Sequence, residues 1–495
     1  MTYTKKKAAL ELYFREFRDN TVGIDTEIET PYGLKSLVYA DWIASGRLYA
    51  PIETILQKKL GPHIGNTHSE SSHTGRLMTH AYHKAHEIIK NHVNASDKDI
   101  IITAGSGMTS VLCKFQRMLG LKMPEQYNKR ISLADEERPV VFVTHMEHHS
   151  NHTSWLETIA DVVVLEPTPE LLVNPDSLAG ALEKYKNRKL KIGSFTACSN
   201  VTGIETQYHR LAEIMHDHNG YCFVDFAASA PYVDIDMHPE NDTERLDAIF
   251  FSPHKFLGGP GSSGVLVFNK SLYHNCIPDH PGGGTVTWTN PWDGRSYYTD
   301  IEVREDGGTP GFLQAIRAAL AIRLKEQMSV EKIRLREDEL LSICFKEFAK
   351  IPQLHLLAGN IEDRLGICSF YVEDMHFNLM VKLLNDRFGI QVRGGCSCAG
   401  TYGHLLLEVS RSRSRQITDL IDQGDLSQKP GWVRLSLHPT MTDDELYDII
   451  NAIHEVIDHA ESWARDYRYS PSANEFYHRS EIKYEPELTE WFDSM

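Results

Sequence analysis

The sequence predicts an α/β protein in which a seven-stranded, mostly parallel sheet is wrapped by helices and followed by a smaller α+β domain. Three observations lead to this prediction. Short apolar runs recur between residues 100 and 270, longer polar segments with helical spacing separate them, and the rhythm changes beyond residue 310. The chain of 495 residues also exceeds one ordinary domain of ~100 to 200 residues, so at least two lobes are expected.

The seven runs are rich in β-branched residues and are apolar without alternation, which is typical of strands buried on both faces. They are DIIIT (99–103), VVFVT (140–144), VVVL (162–165), KIGSFTA (191–197), YCFVD (221–225), AIFF (248–251) and GVLVF (264–268). Segments between them, such as HRLAEIMHDHNG, place apolar residues at helical spacing and end at a glycine. Alternating strands and helices predict parallel strands joined by helical crossovers.

The rest of the sequence predicts two connecting helices and a smaller domain. Residues 310–350 read as the two helices, with Pro310 near the first turn of the first one. Thr442 and Glu445 have the spacing of a capping box at the start of a late helix. We predict an N-terminal segment at 1–60 that joins the small lobe, a large domain at 61–330, and a small domain at 331–495 with an insertion at 404–430 and an aromatic tail at 462–495.

The composition excludes several classes of protein. A formal net charge of −17 disfavours binding to nucleic acid or to an anionic membrane, because both require a basic surface. The local basic run SRSRSR, with Arg411, Arg413 and Arg415, is interpreted as a solvated loop face. Eight cysteines are too sparse for a disulfide scaffold, and neither a secretory signal nor a ~20-residue apolar span is found. We therefore expect a cytoplasmic protein with reduced thiols.

Polar residues that follow the predicted strands are candidates for ligand binding, because ligands bind beyond the carboxyl ends of parallel strands. AGSGMTS, at 104–110, is a glycine turn that opens into a helix whose N-terminal amides favour a phosphate, although such turns are common. HMEHHSNH places histidines at 145, 148, 149 and 152. Their spacing leaves open a metal site, stacking, hydrogen bonding or surface exposure.

Asp225 is the last residue of one further strand and Lys255 follows another, and the two are more informative together. A lysine forms a Schiff base with the aldehyde of pyridoxal phosphate, and a carboxylate keeps the pyridine nitrogen protonated so that the ring accepts electrons. With the glycine turn as a phosphate site, the predicted strand ends carry the parts needed to hold this cofactor.

These residues resemble the class V branch of the fold-type I pyridoxal phosphate enzymes, and within it the cysteine desulfurases and selenocysteine lyases. The resemblance runs from YADWIASG at 39 to AIHEVI at 457, with the motifs in family order. SPHK is similar to Ser-x-His-Lys, which implies that Lys255 is the Schiff-base lysine and that Ser252 and His254 are phosphate ligands. VDFA resembles Val-Asp-x-Ala and implies that Asp225 pairs with the pyridinium nitrogen.

Other motifs extend the implied cofactor site. MEHHSN resembles the segment whose first histidine, His148, stacks on the cofactor ring and moves protons together with Lys255. SNVTG implies that Asn200 lies near the ring oxygen and the substrate. AGSG implies phosphate binding by Ser106 and Gly107. EDGGTP resembles a segment that reaches the neighbouring subunit's phosphate, which implies a homodimer and a role for Thr309.

The substrate and the reacting thiol are implied in the same way. WVRLSL is similar to the strand whose arginine, here Arg434, grips the carboxylate of a small amino-acid substrate, and a planar guanidinium suits that bidentate task. Aligning VRGGCSCAG on the family loop makes Cys398 the nucleophile that takes sulfur or selenium from the substrate. Arg393 is expected to bind substrate and to favour the thiolate. A sulfur-acceptor protein is a further expected partner.

The sequence departs from the family pattern at one cofactor-binding position, and the resemblance assigns no role to one of the two neighbouring thiols. The family usually has Gln three residues after the pyridinium Asp, and this chain has Ala228 there, followed by Ser229. Cys396 is one residue from Cys398, and the spacing alone is also compatible with half of a metal site, a redox pair or buried packing.

Two alternative functions remain at this stage. One is a class V aminotransferase or β-lyase that uses the same cofactor residues without a thiol. The other is a metal-binding or scaffold protein that uses Cys396, Cys398, His404 and the histidine cluster. The second leaves Asp225 and Lys255 without a role, and the leading interpretation includes no metal.

Overall fold

The computed structural model describes residues 3–128, 130–480 and 485–494. Its large sheet has seven strands, one at each predicted run. They are β1 (Asp99–Ala104), β2 (Val140–Val143), β3 (Asp161–Val164), β4 (Lys191–Thr196), β5 (Tyr221–Asp225), β6 (Ala248–Phe251) and β7 (Gly264–Asn269). The order is β1-β7-β6-β5-β4-β2-β3, and β7 alone in this sheet runs antiparallel to its neighbours. The predicted fold class is confirmed.

Helices cover both faces of this sheet, and the strands are buried on both sides. Phe223 and Val224 are neighbours on β5, and they belong to separate buried clusters. Continuous apolar runs are what such a doubly covered sheet requires. The helices of this part of the chain are α1 (Tyr3–Asp19), α2 (His73–His92), α3 (Met108–Met118), α4 (His149–Leu156), α5 (Pro175–Lys184), α6 (Tyr208–Asp217) and α7 (Phe312–Met328), with short helices at Ala50–Thr54, Glu125–Asn128 and Ile301–Glu305.

A second sheet of four antiparallel strands follows, in the order β8-β9-β11-β10. Its strands are β8 (Leu354–Leu356), β9 (Ile367–Val372), β10 (Arg393–Gly395) and β11 (Trp432–Ser436). The helices around it are α8 (Val330–Phe348), α9 (Phe377–Phe388), α10 (Gly400–Leu406), α11 (Arg411–Asp422) and α12 (Asp443–Trp463), and α13 (Glu485–Asp493) lies near the C-terminus. Two-stranded pairings are Glu27–Thr30 with Gly33–Ser36, Val38–Tyr39 with Ile390–Gln391, Val286–Thr289 with Arg295–Tyr297, and Tyr467–Ser470 with Glu475–His478.

Two sequence signals, a capping box and a proline, are interpreted as helix starts. The Thr442 hydroxyl accepts from the Glu445 N–H and the Glu445 carboxylate accepts from the Thr442 N–H, so the predicted capping box at α12 is confirmed. Pro310 lies close to the first turn of α7, as predicted, but just outside the helix. Its carbonyl accepts from the Phe312 N–H at 2.8 Å in a tight turn, and α7 begins only after Gly311.

The segment at 404–430, predicted as an insertion, is partly helical. It contains the end of α10 and all of α11, so the interpretation of SRSRSR as a loop face is wrong, although its arginines are solvent-exposed. Ile417 is the buried residue of α11, and a helix with so narrow an apolar face leaves little periodicity in the sequence.

An N-terminal segment and a segment after α12 contribute buried residues to the core of the smaller sheet. Phe14 and Trp42 are buried in one cluster with Leu435 of β11. Tyr467 is also buried there, and its hydroxyl donates to Asp386 at 2.9 Å. Across the described residues, no helix is long and apolar enough to span a membrane.

Candidate active site

The turn between β1 and α3 forms a small cradle with the segment after β6. The Ser252 hydroxyl accepts from the Met108 N–H at 2.9 Å, and His254 Nδ1 donates to the Ser106 carbonyl at 2.9 Å. A Cβ atom placed on Gly107 would lie 3.1 Å from both Ser252 Oγ and His254 Cε1. Glycine thus keeps this space open at the N-terminus of α3, where backbone amides favour an anion.

Lys255 and Asp225 lie at the carboxyl ends of the adjacent strands β6 and β5. Asp225 is buried, and its Oδ1 accepts from the Ala227 N–H at 2.8 Å. Burial raises the pKa of Asp225 to about 6, while this hydrogen bond and the charge of Lys255 oppose the rise. Burial lowers the pKa of Lys255 to about 8, and the charge of Asp225 opposes that fall. The site therefore contains a carboxylate together with an amine that loses its proton at about pH 8.

His148 caps the N-terminus of α4 with its ring. Nδ1 accepts from the Ser150 N–H at 3.1 Å, so the proton of the neutral ring lies on Nε2. Burial and the charge of Lys255 lower the pKa of His148 to about 4. The ring is therefore neutral at pH 7, with an N–H available at Nε2.

Glu147, which precedes this histidine, ties two strand ends together. Its Oε1 accepts from the Thr144 hydroxyl at 2.7 Å and from the Thr196 N–H at 2.8 Å, and its Oε2 accepts from Asn151 Nδ2 at 2.7 Å. These bonds fix the turn after β2 against the end of β4. Sequence reasoning gave Glu147 no role.

Asn200 connects the loop of residues 396–399 to Arg434. Its side-chain Nδ2 donates to the Ser397 backbone carbonyl at 2.8 Å. The backbone carbonyl of Asn200 accepts from Arg434 Nη1 at 3.1 Å. Asn200 Oδ1 is buried and has no hydrogen-bond partner within the described residues. A buried acceptor without a partner is unfavourable unless a ligand supplies one. Asn200 thus faces a place where a ligand donor would be stabilised.

Asp41 is a central residue that sequence reasoning missed. Its Oδ1 accepts from Arg434 Nη2 at 2.9 Å, and its Oδ2 accepts from Arg393 Nε at 3.0 Å. Arg393 and Arg434 are register partners on β10 and β11. Arg434 is 4% exposed, and its Nε has no partner in the described part of the chain. Asp41 therefore holds two adjacent guanidinium groups while one buried N–H stays free for a ligand.

The thiol loop, defined as residues 396–399, is clamped from two sides. The Cys398 carbonyl accepts from the His149 N–H at 2.7 Å, and His149 Nε2 accepts from the Gly400 N–H at 3.0 Å. Asn200 holds the neighbouring Ser397. Ser397 and Cys398 have φ values of 51° and 57°, a left-handed conformation that is unfavourable for residues with a side chain. The clamp thus holds a strained turn on which Cys398 is exposed and Cys396 is partly exposed.

The other thiols differ in environment. All eight cysteines are free, and four of them, Cys198, Cys222, Cys344 and Cys368, are buried. Burial raises the pKa of the Cys198 and Cys222 thiols well above the usual value, so both are poor nucleophiles. Cys113 and Cys276 are accessible but belong to neither the thiol loop nor the strand ends described above.

Three residues considered in the sequence analysis make no side-chain hydrogen bond with the site residues described above. Thr309 is exposed and makes no hydrogen bond within the described residues. Ser229 is buried beside Ala228, and its hydroxyl has no partner in the same part of the chain. His145 lies outside α4, with its Nε2 at 2.9 Å from the Leu171 carbonyl. Among the described residues, no group of three or more His, Cys, Asp or Glu side chains is arranged to hold a metal ion.

Comparison with known proteins identifies the family. The aminotransferase class-V family model matches residues 38–449. The chain belongs to the class-V aminotransferase family. The resemblance inferred from the motifs is confirmed, and the class-V match includes the thiol loop and every residue assigned above to the candidate site.

Several class-V relatives and solved structures are similar to this chain. A probable cysteine desulfurase of Staphylococcus epidermidis is 28% identical over 379 residues, which cover 75% of this chain and 85% of that protein. One of Staphylococcus aureus is 27% identical over 370 residues, covering 74% and 84%. The structure of an Escherichia coli cysteine desulfurase in an S-sulfonic acid form has a TM-score of 0.68 at 20% identity, covering 90% of this chain and 98% of its own. The apo cysteine desulfurase of Thermococcus onnurineus has a TM-score of 0.67 at 20% identity, covering 85% and 95%.

Proposed function

We propose that the protein is a cysteine desulfurase dependent on pyridoxal 5′-phosphate, which converts a cysteine-type amino acid to alanine and leaves the sulfur on Cys398. The names of the relatives support this proposal. The observation that carries it is the position of Asn200, which hydrogen-bonds both the thiol loop and Arg434. Asn200 thereby links the thiol loop to a carboxylate-binding arginine, and the charges of Arg434 and Arg393 act on the strand-end amine of Lys255.

The residues fit the proposed cofactor. The cradle around Gly107, with Ser106, Ser252 and His254, suits a phosphate, and Asp225 suits a protonated ring nitrogen. Asn200 Oδ1 is buried without a hydrogen-bond partner among the described residues, so a donor on the cofactor would stabilise it. Lys255 would hold the cofactor through its amine. When bound, pyridoxal phosphate supplies a ring that accepts electrons from the α-carbon of an amino acid.

The chain's own groups then account for binding and proton transfer. Arg434, with its free Nε–H, binds the substrate carboxylate, and Arg393 lies beside it on β10. Lys255 Nζ, with its lowered pKa, takes the proton from the α-carbon. The neutral ring of His148 carries its proton on Nε2, while Nδ1 caps α4, and it exchanges this proton within the site.

Cys398 carries out the sulfur transfer. Its thiolate attacks the sulfur of the substrate, so that a new S–S bond forms while the bond between sulfur and the β-carbon breaks. The electron pair of the broken bond stays with the β-carbon, which takes up a proton to give alanine. The Cys398 persulfide remains on an exposed turn, where an acceptor thiol can reach it.

Product analysis tests the proposed function against the class V aminotransferase or β-lyase alternative. Purified holoenzyme is incubated with L-cysteine and a reductant, and separately with L-alanine and a keto acid. We expect equal amounts of alanine and sulfide from the first mixture and no amino-group transfer in the second. Pyruvate and ammonia in place of alanine, or transamination without sulfide, would contradict the proposal.

Replacing Asp41 by Asn should raise the KM for L-cysteine by about tenfold with little change in kcat, because the charge that aligns Arg393 and Arg434 is lost. Affinity for cysteamine, which has no carboxylate, should not change. The control is Asp363→Asn, which removes an exposed partner of Arg334. A lower KM in Asp41→Asn would instead mean that Asp41 competes with the substrate carboxylate.

The rate of cofactor attachment should follow the ionisation of Lys255. Its pKa is lowered to about 8, and only the unprotonated amine reacts with an aldehyde. The rate of pyridoxal phosphate uptake by apoenzyme should therefore rise with pH, reach half of its plateau at about pH 8 and level off above about pH 9, and at pH 7 it should be about a tenth of the plateau. Stopped-flow absorbance measures this profile. A rate that still rises above pH 10 would indicate an ordinary lysine.

We further propose a homodimer in which Thr309 reaches the neighbouring phosphate, a cytoplasmic location, and a sulfur-acceptor protein as partner. The exposure of Thr309 supports the first, and eight free thiols support a reducing compartment. The domain division at residues 60 and 330 also stays a proposal.

A further inference from the structure

We propose that the basic surface, defined as Arg411, Arg413, Arg415 and Lys429, docks an acidic, thiol-bearing acceptor protein beside Cys398. This inference rests on the proposed function and adds the location and the charge of the partner. The surface belongs to α11 and the segment that follows it.

The charge of this surface is opposite to that of the chain and is not neutralised locally. The chain carries a formal net charge of −17, whereas the three arginines are exposed near the N-terminus of α11. None of them forms an ion pair within the described residues, and Arg413 donates only to amide oxygens, including that of Gln428 at 2.7 Å. Asp419 and Asp422 lie in the C-terminal half of the helix.

The arrangement is also unfavourable for the helix itself. Positive charges in the first turn of a helix oppose the macrodipole, and Arg411 and Arg413 have no acidic residue in that turn to offset the effect. Intramolecular stability therefore does not explain three arginines within five positions. An external anionic partner does, because it would supply the missing carboxylates.

Direct contacts connect this surface to the reacting thiol. Ser414 of α11 lies 2.9 Å from His404 Nε2, and His404 belongs to α10, which begins two residues after Cys398. The charge of Lys429 acts on His149, whose N–H donates to the Cys398 carbonyl. A partner held by the basic surface would thus lie next to the thiol loop.

A groove beside the same loop gives room for a segment of the partner. Its volume is about 580 Å³, and its lining includes His149, His152, Val164, Thr401 and His404. The groove lies on the α10 side of the thiol loop, which is the side that carries the basic surface.

The transfer step is balanced without an added oxidant or reductant. The acceptor's thiolate attacks the outer sulfur of the Cys398 persulfide and forms a new S–S bond. The bond between the two sulfurs on Cys398 breaks, and Cys398 leaves with the electron pair as a thiolate. The acceptor becomes the persulfide, and Cys398 is ready for another substrate.

Two synthetic thiol peptides test the docking surface on the holoenzyme. Both contain one cysteine, and one is rich in Asp and Glu while the other has Asn and Gln at the same positions. With L-cysteine present, we expect sulfur transfer to the acidic peptide to be about tenfold faster at low salt, and the advantage to disappear at high salt. The triple variant R411E/R413E/R415E should lose the advantage but release sulfide to a small reductant at the wild-type rate.

Matched charge reversal provides the control. Lys184, Lys186 and Lys189 are exposed and precede the amino end of β4, whereas the site lies beyond the carboxyl ends of the strands, so K184E/K186E/K189E should keep the preference for the acidic peptide. Equal transfer to both peptides in the wild type, or a preference retained by the arginine variant, would overturn the proposal. Tighter binding of a single-stranded RNA than of the acidic peptide would overturn the assignment to a protein. Absence of sulfide release to the small reductant would instead contradict the proposed desulfurase function.

Discussion

Lys255→Ala is expected to lose the covalently held cofactor and to lower the rate of sulfide release by on the order of 10⁴-fold. Lys255 supplies an amine beside Asp225 at the strand ends, and its lowered pKa makes it reactive near neutral pH. Reduction of the holoenzyme with borohydride, followed by peptide mass analysis, should locate the cofactor on the peptide that contains Lys255.

Lys325 provides the matched control. It is also buried, and burial lowers its pKa to about 7, but it lies within α7 and its amine donates to the Val233 carbonyl. Lys325→Met should therefore retain the cofactor in whatever fraction folds. A cofactor still attached in Lys255→Ala, or found on Lys325, would show that the assignment of Lys255 is wrong.

Cys398→Ala is expected to lower sulfide release from L-cysteine by on the order of 10³-fold while cofactor binding stays unchanged. The thiol leaves the site, but Lys255, Asp225 and the cradle around Gly107 are untouched. Cysteine should still change the cofactor's absorbance spectrum in this variant, because Arg434 and Lys255 are present. Sulfide assays and absorbance spectra on the same sample separate the two effects.

Cys396→Ala is the natural control, since the two thiols are one residue apart on the same loop. It should keep most of the activity, because the clamp formed by His149 and Asn200 holds Ser397 and Cys398 and does not involve Cys396. If Cys396→Ala loses sulfide release and Cys398→Ala keeps it, the nucleophile has been assigned to the wrong cysteine.

The large sheet was accessible from the sequence because burial on both faces leaves continuous apolar runs. Each of the seven runs coincides with a strand to within about one residue at either end. The positions just after them follow from the rule that ligands bind at strand carboxyl ends, and this directed attention to Asp225 and Lys255. The cofactor's other contacts came from the order of the family motifs and not from periodicity.

Asp41 illustrates what the sequence could not reveal. Its partners Arg393 and Arg434 are 352 and 393 positions away along the chain, so the interaction exists only after β10 and β11 pair. The one available signal was its position inside YADWIASG, where the family resemblance begins. The role of His149 in holding the thiol loop was missed for the same reason, because its contact with Gly400 joins positions 251 apart. Long-range polar contacts of this kind leave no periodic pattern.

The persulfide itself is the most direct test of the central claim that Cys398 accepts sulfur from the substrate. Holoenzyme is treated with L-cysteine in the absence of reductant, the free thiols are alkylated, and the peptide containing Cys396 and Cys398 is fragmented in a mass spectrometer. The account predicts one added sulfur atom on Cys398 and one equivalent of alanine for each site. An unmodified Cys398 in a sample that has turned over cysteine would contradict it.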